Sequence, residues 1–357
     1  MELSELRFFL QDYIPTKHAV IGFDAFIDQI GRKPSGLGCG LISGISDFGE
    51  RLEHRGNRSG AVMLEEVVES IGGNAANTSM ALGKLGVKVT CICAAGFPKV
   101  NDVFEPLQEK VKLVSYANPG TCLAVELGES KLFFATNGEM NAMTWDEMQN
   151  RIGYDCLLSA YDNSDLIGLF NWGEIRSTQL LWNGLLRDII PKLSYRPRKF
   201  FFDFSDISGR NDDELQLLFQ TLRAFRNFGE VYVSANHMES KILCKERMVS
   251  EGVVDYFIGH GKKSSCLIKH DGTFVLPTRY LSAPKRLTGS GDSFNAGFCY
   301  GLLCGLPEEN CMFLANASAN CLVRTGNQPG KSSLCRELEA SESLWEKRDE
   351  YIENDNM

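Results

Sequence analysis

Strand-like and helical segments alternate along the second half of the chain, and this alternation constrains the fold more than any other feature of the sequence. From residue 150 onward, helical patterns separate five short apolar runs that are typical of buried strands, at 165–170, 199–204, 229–234, 256–259 and 265–269. Strands separated by helices predict βαβ units around a mainly parallel sheet. Two amphipathic helices, over 293–303 and 308–324, then close the predicted fold.

The first half extends this pattern and adds a β-rich part. It predicts a helix over 75–85 that ends before Gly86, strands over 18–22 and 87–94, and a hairpin of strands 121–127 and 131–136. The Gly- and Ser-rich stretch 31–60 indicates loop or short irregular strands and is more typical of a lid than of a core.

These segments predict one α/β domain with a small lid. The expected domain covers residues 1–335, with lid segments at about 29–65 and 113–140, and residues 336–357 are expected to form a charged, peripheral tail. A chain of 357 residues is long for one domain, but α/β enzymes of this length often have a single core.

Charge and composition exclude several classes of protein. The formal net charge of −9 argues against a surface that coats nucleic acid, although one anionic ligand can still bind at a local site. The N-terminus shows no secretion signal, and no apolar run approaches the length of a membrane span. The twelve cysteines lack CxxC pairs and zinc-like spacing, so we expect free thiols and a cytoplasmic protein.

The segment that carries chemistry is Leu287-Thr288-Gly289-Ser290-Gly291-Asp292, which leads into a predicted helix. The glycines allow consecutive backbone N–H groups to converge on one point, and the start of a helix adds partial positive charge there. Such a site suits a phosphoryl group in transfer, with Asp292 beside it as a general base. The alternative interpretation is a glycine turn in which Asp292 only caps the helix.

This segment resembles the C-terminal signature of the ribokinase-like (PfkB) family of carbohydrate kinases. The resemblance implies the three-layer α/β/α ribokinase-like fold and ATP-dependent phosphorylation of a hydroxymethyl group on a sugar or sugar-like substrate. It implies that Asp292 is the catalytic base and that the backbone amides of Gly289, Ser290 and Gly291 form the anion hole.

Two earlier segments resemble the family's substrate-binding positions. In Ile71-Gly72-Gly73-Asn74-Ala75-Ala76-Asn77, the resemblance implies that Gly72 and Gly73 approach the substrate and that Asn77 binds a sugar hydroxyl. After the first strand, Asp28 is the first choice for holding the substrate and Asp24 the second. A glycine turn with a helix cap, and solvated carboxylates, are the alternative interpretations.

The nucleotide side is implied by Asn236-His237-Met238-Glu239, which is similar to the family's NxxE motif. By this resemblance Asn236 and Glu239 would organise the water shell of Mg²⁺, and the alternative is an ordinary helix cap. Gly261 stands in a loop where relatives contact ATP, and the small residues beside Asn316 and Asn320 would suit an adenine slot. For the two asparagines, close helix packing is an equally good interpretation. The family also suggests a homodimer formed through the lid.

The sequence departs from the family at Arg286 and Leu287. Many relatives have Asp and then Thr or Cys there, and that Asp helps bind a potassium-like ion, which puts activation by a monovalent cation in doubt. Arg286 could supply a fixed positive charge or face solvent, and the sequence alone favours solvent. The family's Asp-x-Asn-x-Arg is also incomplete, since Asp203 is followed by Phe204-Ser205-Asp206-Ile207.

Competing interpretations fit less well. A P-loop requires glycine at position 325, where Thr stands, and the glycines at 36–40 lack the spacing of a dinucleotide-binding loop. A homologue that binds a sugar without phosphorylating it would not need Asp292, Asn236 and Glu239 together. A nucleoside kinase of the same fold stays open, because a nucleoside also presents a ribose hydroxyl. A polar pocket would favour a sugar, and an apolar, aromatic pocket a nucleoside.

Overall fold

The computed structural model describes residues 1–38, 40–128 and 130–346. The helices of the described chain are α1 (Leu3–Asp12), α2 (Ile45–Arg55), α3 (Asn74–Lys84), α4 (Glu105–Gln108), α5 (Trp145–Ile152), α6 (Tyr154–Asp162), α7 (Thr178–Asp188), α8 (Asp212–Arg226), α9 (His237–Ile242), α10 (Lys245–Ser250), α11 (Ser290–Leu303), α12 (Glu308–Thr325) and α13 (Lys331–Glu346). Short 3-10 turns cover Asp102–Phe104, Gly138–Ala142 and Ile190–Lys192.

The strands of the described chain form one large and two smaller sheets. They are β1 (His18–Phe23), β2 (Phe26–Arg32), β3 (Ser35–Gly36), β4 (Val62–Met63), β5 (Glu66–Gly72), β6 (Lys88–Cys93), β7 (Lys112–Ser115), β8 (Gly120–Leu127), β9 (Ser130–Thr136), β10 (Leu166–Phe170), β11 (Arg198–Asp203), β12 (Gly229–Asn236), β13 (Tyr256–His260), β14 (Ser264–Lys269) and β15 (Gly272–Pro277). The five strands predicted after residue 150 are all present, with ends that shift by one or two residues.

The large sheet has nine strands in the order β15-β14-β13-β12-β11-β10-β1-β6-β7. The seven strands from β13 to β7 run parallel, and the hairpin β14-β15 is antiparallel. Strands such as β1, β10 and β11 are buried on both sides and read as near-continuous apolar runs, as expected of a sheet covered on both faces.

Helices cover both faces of this sheet and produce two cores. One core contains α1, α3, α11, α12 and α13 against one face, and the other contains α5, α6, α7 and α8 against the opposite face. The predicted three-layer α/β/α arrangement is therefore confirmed. The cysteines at 91, 93, 299, 304, 311 and 321 are buried free thiols in these layers.

The smaller sheet, ordered β5-β2-β8-β9, forms the lid. It leaves the large sheet twice, between β1 and α3 and between β7 and α5. β7, at the start of the predicted lid segment 113–140, pairs with β6 in the large sheet instead. The prediction of loop or irregular strands over 31–60 missed α2, whose Asp47 and Arg51 form an i,i+4 ion pair of 2.6 Å.

The predicted peripheral tail is wrong over residues 336–346. These residues continue α13, in which Leu338 and Trp345 are fully buried. Glu337 is buried as well and binds Arg279 at 3.4 Å and Nε of Arg324 at 2.6 Å. One charged residue of this segment, Glu337, is therefore buried and paired, which the composition of the segment did not indicate. Residues 347–357 lie outside the described part.

None of the helices in the described chain combines the length and apolar character needed to cross a bilayer.

Candidate active site

Polar side chains collect where four neighbouring parallel strands end. Asp24 follows β1, Asn171 follows β10, Asp203 ends β11 and Asn236 ends β12, and these strands are adjacent in the sheet. Ligands of open α/β sheets bind outside the carboxyl ends of the strands. The candidate site lies at this edge, under the lid sheet.

Asp24 holds α3 in place. Its carboxylate accepts hydrogen bonds of 2.8 Å from the backbone N–H groups of Asn74 and Ala75 and one of 3.1 Å from the side-chain amide of Asn171. Burial raises the pKa of Asp24, and these three donors partly offset that rise. Because its oxygens are occupied and it is buried, this placement favours Asp28 over Asp24 for a role with substrate.

Asp292 lies in the first turn of α11 and is buried. Its Oδ1 accepts a hydrogen bond of 3.0 Å from the side-chain amide of Asn74. Burial raises the pKa of Asp292 well above its usual range, and the charges of Asp203 and Asp24 raise it further. Hydrogen bonds from Asn77 and Asn74 act in the opposite direction. The structure thus brings Asp292 and Asn77 together, as the sequence predicts.

The turn before α11 contains the three predicted anion-hole residues, and the N–H group of one of them already has a partner. Gly289 is left-handed, with φ of 82°, and it precedes the first helical residue. The backbone N–H of Ser290, one of three predicted anion-hole donors, donates to the carbonyl of Leu287 at 3.1 Å. The third, Gly291, would place a Cβ 3.6 Å from Cε1 of His260 and so faces the end of β13.

The two glycines at 72 and 73 allow the lid to approach the core closely. A Cβ on Gly73, which has φ of 93°, would lie 2.8 Å from Cα of Ala25 and 3.0 Å from Oδ2 of Asp24. A Cβ on Gly72 would lie 2.1 Å from Oδ1 of Asp28. The predicted positions Gly72, Gly73 and Asp28 are therefore neighbours in space.

A second carboxylate, Glu174, lies across from Asp28. Both raise the pKa of the Cys122 thiol, which burial and their charges bring to about 11. Asp28 pairs with Ser70 on β5 and with Cys122 on β8, so these three side chains share one face of the lid sheet. Glu174 is exposed to the open side of the site. The lid and the core thus each present a carboxylate to the same space.

The loop that carries Glu174 is firmly held. Arg210 stacks on Trp172 at 4.4 Å and donates to the carbonyls of Trp172, Gly173 and Ile175. Asn171, with φ of 58°, donates to both Glu174 and Asp24 at 3.1 Å. Asn171 and Glu174 were not predicted from the sequence. Their position directly after the predicted strand 165–170 was the available signal, because polar residues at strand ends face the ligand edge.

Asn236 and Glu239 form a reciprocal cap at the start of α9. Asn236 Oδ1 accepts from the N–H groups of Met238 and Glu239 at 2.9 and 3.1 Å, and Glu239 accepts from the N–H of Asn236 at 2.9 Å. The cap interpretation is therefore correct as geometry. The cap interpretation leaves a role with a metal open. Burial and the charge of Asp203 raise the pKa of Glu239 to about 8.

The charges of several carboxyl groups act on Glu239. Asp203, Asp206 and Glu174 all raise the pKa of Glu239 by their charge. Within the described residues, no group of three or more His, Cys, Asp or Glu side chains could hold a metal ion directly. Mg²⁺ is commonly bound through water and substrate phosphates rather than by a protein cage, so Asn236 and Glu239 fit such an ion.

The polar residues near the predicted nucleotide position differ in whether their side-chain atoms have hydrogen-bond partners. Asn316 donates to Ser265 Oγ at 2.8 Å and to the carbonyl of Met312 at 2.9 Å, so its amide serves packing inside the protein. Asn320 is buried and its Nδ2 has no partner among the described residues. His260 stacks on Phe294 at 4.9 Å, its Nε2 lacks a described partner, and burial lowers its pKa to about 4.

Gly261 lies beside the start of α9. A Cβ there would be 4.0 Å from Cβ of His237 and 3.5 Å from the carbonyl oxygen of Ser264. The unpaired polar atoms of Asn320 and His260 are buried, and the glycines at 261, 289 and 291 carry no side chain that would cover the backbone.

Comparison with known proteins gives a consistent result. A model of the prokaryotic ketohexokinase family matches residues 4–340. The ketohexokinase of Haloferax volcanii is 25% identical over 342 residues, which cover 90% of this chain and 90% of that protein.

Among solved structures, a nucleoside kinase of Methanocaldococcus jannaschii, an archaeal member of the ribokinase family, covers 92% of this chain and 100% of its own, with 16% identity and a TM-score of 0.64. The adenosine kinase of Sinorhizobium meliloti has the same coverage and identity and a TM-score of 0.65. At this identity the likeness establishes the fold, which is ribokinase-like as the motifs predict.

Proposed function

Because the chain belongs to the prokaryotic ketohexokinase family and is thus a carbohydrate kinase, we propose that it transfers the terminal phosphoryl group of ATP to a hydroxymethyl group of a ketohexose. The observation that carries this proposal is the hydrogen bond between Asn74 and Asp292. Asn74 directly follows the glycine pair beside Asp28, so the bond connects the sugar side of the site to the predicted base.

Polar groups on both sides of the site favour a free sugar over a nucleoside. Asp28, Ser70 and Cys122 line the lid face, and Asn171 and Glu174 line the core opposite. Carboxylates accept several hydrogen bonds each and bind neighbouring hydroxyl groups well. A planar base would instead require apolar and aromatic walls, which these residues do not provide.

The proposed mechanism uses Asp292 as the base. Asp28, Glu174 and Asn77 hold the sugar so that its hydroxymethyl oxygen faces Asp292, which removes the proton as the oxygen attacks the terminal phosphorus. Burial raises the pKa of Asp292, and a raised pKa makes the ionised carboxylate a stronger base. The glycine loop at 289–291 faces the charge that develops on the phosphoryl oxygens.

Asn236 and Glu239 are the residues proposed to hold Mg²⁺ through water. A bound Mg²⁺ would supply charge neutralisation on the nucleotide phosphates.

A coupled assay of ADP release across ketohexoses, aldohexoses, pentoses and nucleosides tests the proposed acceptor. We expect turnover with a ketohexose, with kcat/KM at least about tenfold above that of any nucleoside, since each 1.4 kcal/mol of binding preference is tenfold. A preference for a nucleoside would contradict the proposal.

Substitutions of the two carboxylates that are proposed to face the sugar test the pocket in the same assay. Asp28→Asn and Glu174→Gln are expected to raise KM for the ketohexose by about tenfold or more, because each change removes a charged acceptor of hydroxyl hydrogen bonds. Glu69→Gln is the control, since Glu69 neighbours Ser70 on β5 but points to the opposite face and binds Gln29. An unchanged KM in both site variants would remove this pocket from sugar binding.

Binding of Mg²⁺ with ADP is expected to release a proton from Glu239 near neutral pH. With a pKa of about 8, the metal-free carboxyl is mostly protonated at pH 7, and a cation favours the charged form. Proton release should fall toward zero as the pH rises above that pKa, and affinity should increase with pH up to it. Calorimetry in buffers of different ionisation enthalpy measures the proton count.

Glu239→Gln should abolish this proton release, whereas Glu246→Gln, at an exposed position, should leave it unchanged. Proton release that persists in Glu239→Gln would assign the titration to another group.

A further inference from the structure

Arg286 is fixed against the glycine loop instead of facing solvent. Its side chain is half-buried, and its Nε donates to the carbonyl of Thr288 at 3.0 Å. The backbone at Lys285 and Arg286 is anchored to α12, because the N–H groups of both residues donate to the carbonyl of Val323, at 2.8 and 3.4 Å. This finding replaces the solvent-facing position that the sequence favoured.

The guanidinium and the predicted base flank the same glycine. A Cβ built on Gly289 would lie 3.7 Å from Nη2 of Arg286 and 3.8 Å from Oδ2 of Asp292. Nη2 of Arg286 and Oδ2 of Asp292 therefore both lie close to the position that a side chain of residue 289 would occupy. The left-handed glycine leaves this position open. A side chain at 289 would separate the two groups.

The Arg286 guanidinium has no carboxylate partner. Across the described residues it forms no ion pair within 4.0 Å, and its hydrogen bond to Thr288 involves Nε alone. A half-buried guanidinium without a carboxylate partner keeps N–H donors that can bind an anion. Arginine presents a planar fork of donors that matches phosphate oxygens.

Lys84 lies near Arg286, because the charge of Arg286 contributes, after burial and the charge of Lys110, to lowering the pKa of Lys84. Negative charge surrounds the loop on the side of Asp292. The carboxyl groups of Asp24 and Asp203 both act on Asp292, and that of Asp203 also acts on Glu239. A nucleotide adds further negative charge at this edge of the sheet. A fixed cation beside the loop would reduce the repulsion where the phosphoryl group crosses from nucleotide to sugar.

We propose that Arg286 is a catalytic residue whose Nη2 contacts the phosphoryl group in transfer, while its Nε bond to Thr288 holds the guanidinium in place. This inference rests on the proposed function. The bond from phosphorus to the bridging oxygen of the nucleotide breaks, a bond to the sugar oxygen forms, and the proton of that hydroxyl goes to Asp292. Arg286 keeps its protons throughout and supplies charge and hydrogen bonds.

Steady-state kinetics of Arg286→Gln and Arg286→Lys test this role. We expect Arg286→Gln to lower kcat by about 100- to 1,000-fold, the range for losing one donor to a developing oxyanion, with KM for the sugar within about threefold. Arg286→Lys, which keeps the charge but loses the fork, should lie between. Arg336→Gln is the control, because Arg336 also donates Nε to a backbone carbonyl, at 3.3 Å, on the exposed side of α13.

Chemical rescue separates a direct contact from support of the loop. Guanidinium ion at millimolar concentration should increase the rate of Arg286→Ala and leave that of wild type unchanged. A kcat of Arg286→Gln within about threefold of wild type would overturn the proposal, as would Arg286→Ala that guanidinium does not rescue.

A measurement without sugar keeps this proposal distinct from the proposed acceptor. Wild type should bind Mg²⁺ and ADP more tightly when aluminium fluoride, a mimic of the phosphoryl group in transfer, is added, and Arg286→Gln should lose that gain while binding ADP normally. This result would hold even if no ketohexose were phosphorylated, in which case only the acceptor assignment would fail. Equal gains in both proteins would overturn the role of Arg286.

Discussion

Asp292→Asn is expected to lower kcat by about 100- to 10,000-fold, the range contributed by a general base. The amide has nearly the shape of the carboxyl and can still accept the hydrogen bond from Asn74, so the site should keep its geometry. Affinity for ADP should stay within about threefold, because the change removes a proton acceptor and not a nucleotide contact. Single-turnover kinetics and calorimetry measure the two quantities.

The same substitution should stabilise the protein without ligands. Burial raises the pKa of Asp292 in the folded state above its unfolded value, so deprotonation destabilises the fold as the pH rises through the folded pKa. At pH 8 we therefore expect the free energy of unfolding of Asp292→Asn to exceed that of wild type.

This difference should shrink as the pH falls. Asp102→Asn, at an exposed position, is the control for both kinetics and stability and should change neither. Turnover retained by Asp292→Asn would transfer the role of base to another residue.

Gly73→Ala should weaken sugar binding and destabilise the fold together. The added Cβ would meet the backbone Cα of Ala25 at 2.8 Å, and backbone cannot move aside as a flexible side chain can. We expect KM for the sugar to rise by at least about tenfold and the free energy of unfolding to fall by about 2 to 3 kcal/mol, from strain at positive φ and from overpacking.

Gly86→Ala is a matched control for this variant. Gly86 follows the same helix, α3, and has a similar φ of 85°, but its added Cβ would have no neighbour within 4 Å. It should lose stability from backbone strain and keep its KM. Equal effects of the two substitutions on KM would show that close approach at Gly73 does not matter for the sugar.

The buried sheet could be predicted because its strands carry a strong local signal. β10, β11 and β12 are short apolar runs between helices, and βαβ rules then limit their arrangement. Their order across the sheet depends on contacts between distant segments and was not predicted. The lid helix α2 was missed because it lies in a Gly- and Ser-rich stretch, and its apolar residues Ile45, Phe48 and Leu52 are too few to stand out there; none of its residues is buried.

The candidate site was predictable where residues belong to a motif and hidden where they act by position. Asp292, Asn77, Gly72 and Gly73 stand in glycine-rich segments, and the structure brings them together. Glu174 follows an ordinary strand end, and its relation to Asp28 depends on how the lid sheet pairs. The setting of Arg286 depends on a hydrogen bond within its own turn and on a carbonyl of α12, which sequence alone does not reveal.

The lid sheet is built from two separate excursions of the chain, and its strand β2 joins them by pairing with β5 and with β8. Asp28, Ser70 and Cys122, which are proposed to face the acceptor, lie on these excursions, whereas Arg286, Asp292 and Glu239 belong to the core. The preference for an acceptor can therefore change in evolution by substitutions within the excursions, while the core residues proposed for phosphoryl transfer stay the same. An exchange of specificity between two relatives would have to transplant both excursions at once, since either alone would leave β2 with a mismatched neighbour.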